Sequence, residues 1–164
     1  MIYNRLWTAG ADCRVTAAHD RNVVLGSAHL VIVGNVTLSR LIYFSEERDV
    51  GVHGVLRILD EARAGNEGQE ITGVLAFDRR WFLQCLEGPR DALTRKFLAI
   101  ARDQRHSGVT LVAFEQVDER VFPDWTMGAV NVDILDRDGF HPPSMSAPIA
   151  LATLRGLQAA GTTM

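Results

Sequence analysis

Two apolar segments, "EITGVLAFD" at 70–78 and "WFLQCLEG" at 81–88, stand on either side of Arg79–Arg80. Each has the length and composition of a strand, and a two-residue polar connection between such runs reads as a β-hairpin. Side chains alternate along a strand, so Phe82, Gln84 and Leu86 share one face while Trp81, Leu83 and Cys85 share the other. Both sets are largely apolar. A strand apolar on both faces has to lie inside a sheet that is covered on both sides. This requirement also creates a difficulty at Gln84, in the middle of the second strand. A buried carboxamide without partners costs roughly 1–3 kcal/mol, so something polar has to be held against it.

The flanking segments supply the layers. "LSRLIYFS" (38–45) reads as a strand. Asp49 is placed to cap a helix running to about Ala64, with Val52, Val55, Leu56, Leu59 and Ala62 on one stripe. "AGNEG" (64–68) reads as a turn. "PRDALTRKFLAIARDQRH" (89–106) reads as a second helix, with Pro89 in its first turn and Leu93, Phe97, Ile100 and Ala101 on its inner stripe. Strands follow at 108–118 and 124–132, and after "HPPS" a short helix at 146–159 precedes a frayed "GTTM" end. The order is βαββαβ plus one strand, an α+β, ferredoxin-like βαββαββ sheet with two helices on one face and a short C-terminal helical segment. The expected division is an extension at 1–37, a core domain at 38–133, and a linker with a capping helix at 134–164. The two helices cover one sheet face. The other needs the C-terminal segment, the N-terminal arm or a second copy of the chain, so a homo-oligomer is one of the expected arrangements. Such a layout names no function by itself.

Composition narrows the classes. With 164 residues, 47% of them hydrophobic and 23% charged, the chain suits one globular domain with a tail. A net charge of −3 gives no broad attraction to nucleic acid or to anionic membrane, and neither is expected as a partner. Cys13 and Cys85 match no metal or redox spacing, and Cys85 reads as a small buried hydrophobe. The stretch "VVLGSAHLVIVG" (23–34) falls short of the roughly 18 apolar residues a membrane helix needs. A cytoplasmic location is expected.

Other polar groups can meet Gln84. Tyr43 lies mid-strand with Leu41 and Ser45 on its own face, and alternation puts Trp125 and Met127 together on one face of the last strand. Asn66 follows the first helix. If these faces coincide, a hydroxyl, an amide and a thioether converge beneath two helices. The segments that carry them are "RLIYFS", an Asn five residues before "ITG", "FLQCLEG", "RDQRH" and "FPDWTMGA". Each is weak alone. In this order and spacing they resemble the BLUF family, blue-light sensors that use FAD, over roughly residues 38–133.

The resemblance implies roles, position by position. Tyr43 matches the photoactive tyrosine, Gln84 the switching glutamine, and Asn66 the asparagine that binds the flavin ring. Trp125 and Met127 match the pair on the last strand that is associated with signalling. Ser45 matches a serine near the tryptophan and the chromophore, and Ile58 and Phe82 match apolar positions that wall the ring. Asp103, Arg105 and His106 match an end of the second helix associated with the ribityl or phosphate region. By the same resemblance, blue light excites the flavin, and Tyr43 supplies an electron and a proton through Gln84. The glutamine is left rotated, tautomerised or both, and absorption moves to the red. Output would pass through Met127 to an unidentified downstream protein, with no enzyme activity in the chain itself. Two features depart from the pattern. Gly65 stands before Asn66 where many members carry Asn or His, which removes one flavin-side contact. The long leader is foreign to the family, and Val36 is a candidate initiator.

Singly, each residue has a plainer reading: Tyr43 as a strand aromatic, Gln84 as a partner for a backbone gap, Asn66 as a turn residue, Trp125 and Met127 as core. Arg90, Arg95, Lys96 and Arg102 read as a solvated helix face, and Glu46–Glu47 as an exposed helix lead-in. Two other functions compete with the photoreceptor: a flavin-dependent oxidoreductase, for which no nicotinamide motif is present, and a light-inert, ferredoxin-like interaction module.

Overall fold

A computed structural model describes residues 37–48, 50–133 and 139–160. The extension through Val36, the Asp49 cap and the terminal "GTTM" lie outside the described residues, as does the side chain of Val52. The elements run β1 (Leu38–Glu47), α1 (Gly51–Glu67), β2 (Thr72–Phe77), β3 (Trp81–Pro89), α2 (Arg90–Ile100), β4 (His106–Gln116), β5 (Gly128–Asn131), a 3-10 turn (Pro142–Ser144) and α3 (Ala147–Ala159). The sheet order is β4-β1-β3-β2-β5, antiparallel except that β5 runs parallel to β2. β3 is therefore the middle strand, as its two apolar faces require.

The hairpin turns at Arg79–Arg80 because the Asp78 carboxylate accepts from the backbone N–H groups of Arg80 and Trp81, at 2.7 and 2.6 Å. An Asp bonded to its own chain two and three residues ahead is a turn-former in its own right. The register pairs Tyr43 with Gln84, Ser45 with Phe82 and Leu41 with Leu86. All six residues thus face one side. There they join Leu75, Val55, Leu59 and Leu93 in a core between the sheet, α1 and α2. On the opposite side Ile42, Val74, Leu83 and Cys85 pack with Ala150, Leu154 and Leu157 of α3. The C-terminal helix is the second cover, and the molecule has three layers. Cys85 is fully buried there, and burial pushes its thiol far above the ordinary range. No helix of the described residues is long and apolar enough to cross a membrane.

Several boundaries differ from the sequence reading. α1 begins on the Glu47 carboxylate, which accepts from the N–H groups of Val50 and Gly51 at 2.5 and 2.8 Å. Glu47 is thus a helix cap and not merely an exposed lead-in, since those first N–H groups have no partner within the helix. α1 also runs through Gly65 and Asn66, which had read as a turn. Its last turn is held by tertiary contacts, which override weak local propensity. Leu56, assigned to the inner stripe, is 38% exposed. α2 stops at Ile100 and Ala101 is exposed, because the Asp103 carboxylate accepts from the Arg105 N–H (2.9 Å) and turns the chain into β4. β5 is shorter than expected: residues 124–127 belong to the connection before it.

Candidate functional site

Between α1, α2 and the sheet lies a cavity of about 210 Å³. Its floor is Tyr43, Leu75, Phe82, Gln84 and Leu86 from the three central strands. Its walls are Ile58, Ala62 and Asn66 from α1 and Lys96, Ala99 and Ile100 from α2. The wall residues recur three and four apart, so one face of each helix is turned inward.

Alternation and register alone bring Tyr43 and Gln84 together. The buried phenol donates to Gln84 Oε1 at 2.5 Å, and Gln84 Nε2 donates to the Met127 thioether at 3.2 Å. The Tyr43 ring is steadied edge-on by Phe97, with centroids 5.8 Å apart. Burial first, and the Asp103 carboxylate second, hold the phenol well above its ordinary pKa. Tyr43 therefore keeps its proton across the accessible pH range, and the bond to Gln84 is where that proton points. The donated bond also fixes the amide orientation, since the Gln84 atom facing a phenol O–H has to be its oxygen.

Asn66 is fully buried in the last turn of α1. Its Nδ2 donates to the Thr126 carbonyl at 2.8 Å, while its Oδ1 has no hydrogen-bond partner. Arg63 Nε donates to the neighbouring Met127 carbonyl at 3.1 Å. The end of α1 thereby grips the connection that leads into β5.

His106 opens β4 and faces the cavity. Its Nε2 lies 3.1 Å from the Ile100 carbonyl and its Nδ1 lies 2.7 Å from the Ser45 hydroxyl. A carbonyl can only accept, so the proton of the neutral ring sits on Nε2 and the Ser45 O–H donates to Nδ1. Ser45 is buried behind the histidine and supports it without lining the cavity. At the mouth, Arg105 grips Asp103 through Nε and Nη2 and reaches Glu61 at 2.8 Å. The guanidinium holds the Asp103 carboxyl below its usual range. Arg105 is thus engaged by two carboxylates.

Trp125 stands apart from the other candidates. It does not share a face with Met127. Met127 belongs to the core on the cavity side, while Trp125 packs half-buried against the core on the α3 side. The reason is local. Residues 125–127 precede β5, so strand alternation does not apply to them. The Trp125 carbonyl accepts from Gly73 N at 2.7 Å. Its indole lies so close over Gly128 that a Cβ there would fall 1.5 Å from the ring. Sequence reasoning missed Glu61 and Lys96, although both sit on the inward period of their helices, at three residues from Ile58 and four from Ile100.

With this geometry in place, comparison with known proteins is informative. Residues 38–128 match the family model "BLUF: Sensors of blue-light using FAD". The photoactivated adenylate cyclase subunit beta of Euglena gracilis is 36% identical over 104 residues, which are 62% of this chain and 12% of that protein. Among solved structures, BlrB, a BLUF protein in its dark state, matches with a TM-score of 0.65 and 32% identity over 76% of this chain and 96% of its own. The photo-activated state of BlsA matches with a TM-score of 0.69 and 28% identity over 77% and 99%. The family match spans more than half of the sequence, from the start of β1 to the start of β5, and includes every strand and helix that builds the cavity: the chain belongs to the BLUF family, the sensors of blue light using FAD.

Proposed function

We propose that this chain senses blue light by rearranging hydrogen bonds at Gln84 and passes the change, through the connection before β5, to a separate partner protein. The observation that carries the reading is the run of contacts from the Tyr43 hydroxyl through Gln84 to the Met127 sulfur, in the cavity wall. The cavity's residues fit a flavin. The orphaned Oδ1 of Asn66 is an acceptor in want of an N–H, and a flavin ring carries an imide N–H. Ile58, Phe82 and Leu86 give apolar surface for a flat ring. When bound, the flavin supplies the blue absorption and an electron-accepting excited state.

The protein's own groups would act as follows. Tyr43 is oxidisable and, being buried and protonated, can release its proton only along its bond to Gln84. A phenylalanine would keep the packing and lose both properties. Gln84 offers two donors and an acceptor. Turning its carboxamide over, or shifting a proton to the imidic tautomer, puts a donor where an acceptor stood and changes what Met127 Sδ receives. Asn66 and Arg63 clamp the carbonyls of Thr126 and Met127, so the altered contact would be felt along the β4–β5 connection and by Trp125 on the far side. In this reading Ser45 and His106 back the floor of the site, and Asp103, Arg105 and Glu61 close its mouth.

The relative from Euglena is named for a cyclase that light activates; here the effector is placed on another chain, and its class is left open. The test is the absorption spectrum of the purified protein before and after blue light. A yellow protein with a small, reversible red shift is expected. Bleaching by NAD(P)H in the dark would favour an oxidoreductase, and failure to take up FAD a light-inert module.

A further inference from the structure

Gly65 departs from the family pattern, and the departure has a structural counterpart. A Cβ built on Gly65 would lie 2.9 Å from the Lys96 ammonium. The space left by the missing side chain at 65 is thus taken by a cation arriving from α2. Lys96 had read as part of a solvated helix face, but it is half-buried and lines the cavity. Among the described residues it has no carboxylate within ion-pair distance and no hydrogen-bond partner. The nearby acids, Asp103 and Glu61, are both taken by Arg105. Burial alone lowers the pKa of Lys96, with no acidic partner to offset it. A desolvated ammonium without a partner is costly to keep, which points to a ligand atom as its counterpart.

The neighbouring groups indicate which atom. The imide edge of a flavin reads carbonyl, N–H, carbonyl. Its complement is donor, acceptor, donor. Gln84 can supply one donor and the orphaned Asn66 Oδ1 the acceptor. Asn66 stands between the other two in the cavity lining. On one side it is tied through Thr126 to the segment whose Met127 touches Gln84. On the other it is next in the chain to Gly65, whose space Lys96 fills.

We propose that Lys96 is a further flavin-binding residue of this chain, donating to the C2 carbonyl in place of the absent side chain at position 65. The inference rests on the flavin reading above. The contact that Gly65 seemed to delete has moved to α2.

The test titrates wild-type, K96M and K96M/G65N apoprotein with FAD, FMN and riboflavin, and locates the flavin C2 carbonyl stretch by isotope-edited infrared spectroscopy. Loss of a hydrogen bond to a charged donor should weaken binding of all three flavins by about tenfold or more and raise the C2 stretch. An Asn at 65 in the double variant should recover part of both. The proposal is overturned if K96M binds riboflavin like the wild type, because the ammonium then serves a phosphate, or if the C2 band does not move. Wild-type protein that takes up no flavin would bring down the flavin reading itself, a distinct result.

Discussion

At the scale of single residues, the site depends on groups whose hydrogen bonds are over-determined on one side and open on the other. Asn66 is the clearest case: Nδ2 is committed to Thr126 while Oδ1 is buried and free. Asn66→Ala should therefore weaken FAD binding by about tenfold, from loss of one bond to the ring worth about 1 kcal/mol and loosening of the wall behind it; equilibrium titration of apoprotein checks this. His106 gives a pH dependence. Burial lowers its pKa against an opposing pull from Asp103. As pH falls from about 7 through the unfolded value near 6.5, the unfolded chain takes up a proton that the native ring refuses. Stability should thus fall with acid over this window, before the more acidic Asp103 titrates. Urea midpoints at about pH 7.5 and pH 5.5 should differ in the wild type, and the difference should shrink in His106→Asn. An equal difference in both would assign the dependence to other groups. Tyr43, Gln84 and Phe82 were legible in the sequence because strand alternation fixes their face whatever the register. Trp125 was not, because the same rule was applied to residues that precede their strand. Lys96 was not, because a lysine on a helix is so often solvated that its inward spacing was outweighed.

At the scale of elements, the connection between β4 and β5 decides where Trp125 and Met127 stand, and it is moored from beneath. The fully buried Glu87 carboxylate pairs with Arg40 at 2.7 Å and accepts from the N–H groups of Val121 and Phe122. Arg120 in turn donates to Thr72, to the Glu87 carbonyl and to the Glu70 carbonyl. Glu87→Ala would strand a buried guanidinium and two N–H groups, and should cost about 3–5 kcal/mol in urea unfolding, with Glu87→Gln milder because it keeps an acceptor. On α3, Leu154 is fully buried against the sheet, and Leu154→Ala should cost about 2–5 kcal/mol while leaving the flavin spectrum in place. Element order was readable from periodicity. Element ends were less so, because they are set by contacts distant in sequence: Thr126 on the last turn of α1, and Asp103 and Arg105 at the exit of α2. The Glu87 anchor carried no local signal, since an acidic residue at a strand end reads as exposed.

At the scale of the whole molecule, one sheet separates a cavity from a packed back layer, and the segment before β5 touches both. Met127 faces the cavity and Trp125 the α3 side, so a change at Gln84 has a short route through the sheet edge to the opposite surface. The need for cover on both faces of β3 was plain from its sequence, and α3 meets it within one chain, which removes the exposed strip that had suggested a second copy. The central claim is that Tyr43 and Gln84 act together on the bound flavin. It is tested most directly by the light-minus-dark absorption spectrum of FAD-loaded wild type, Tyr43→Phe and Gln84→Leu. The account predicts a reversible red shift in the wild type, and bound flavin without any shift in both variants; a wild-type photocycle in either variant would contradict it.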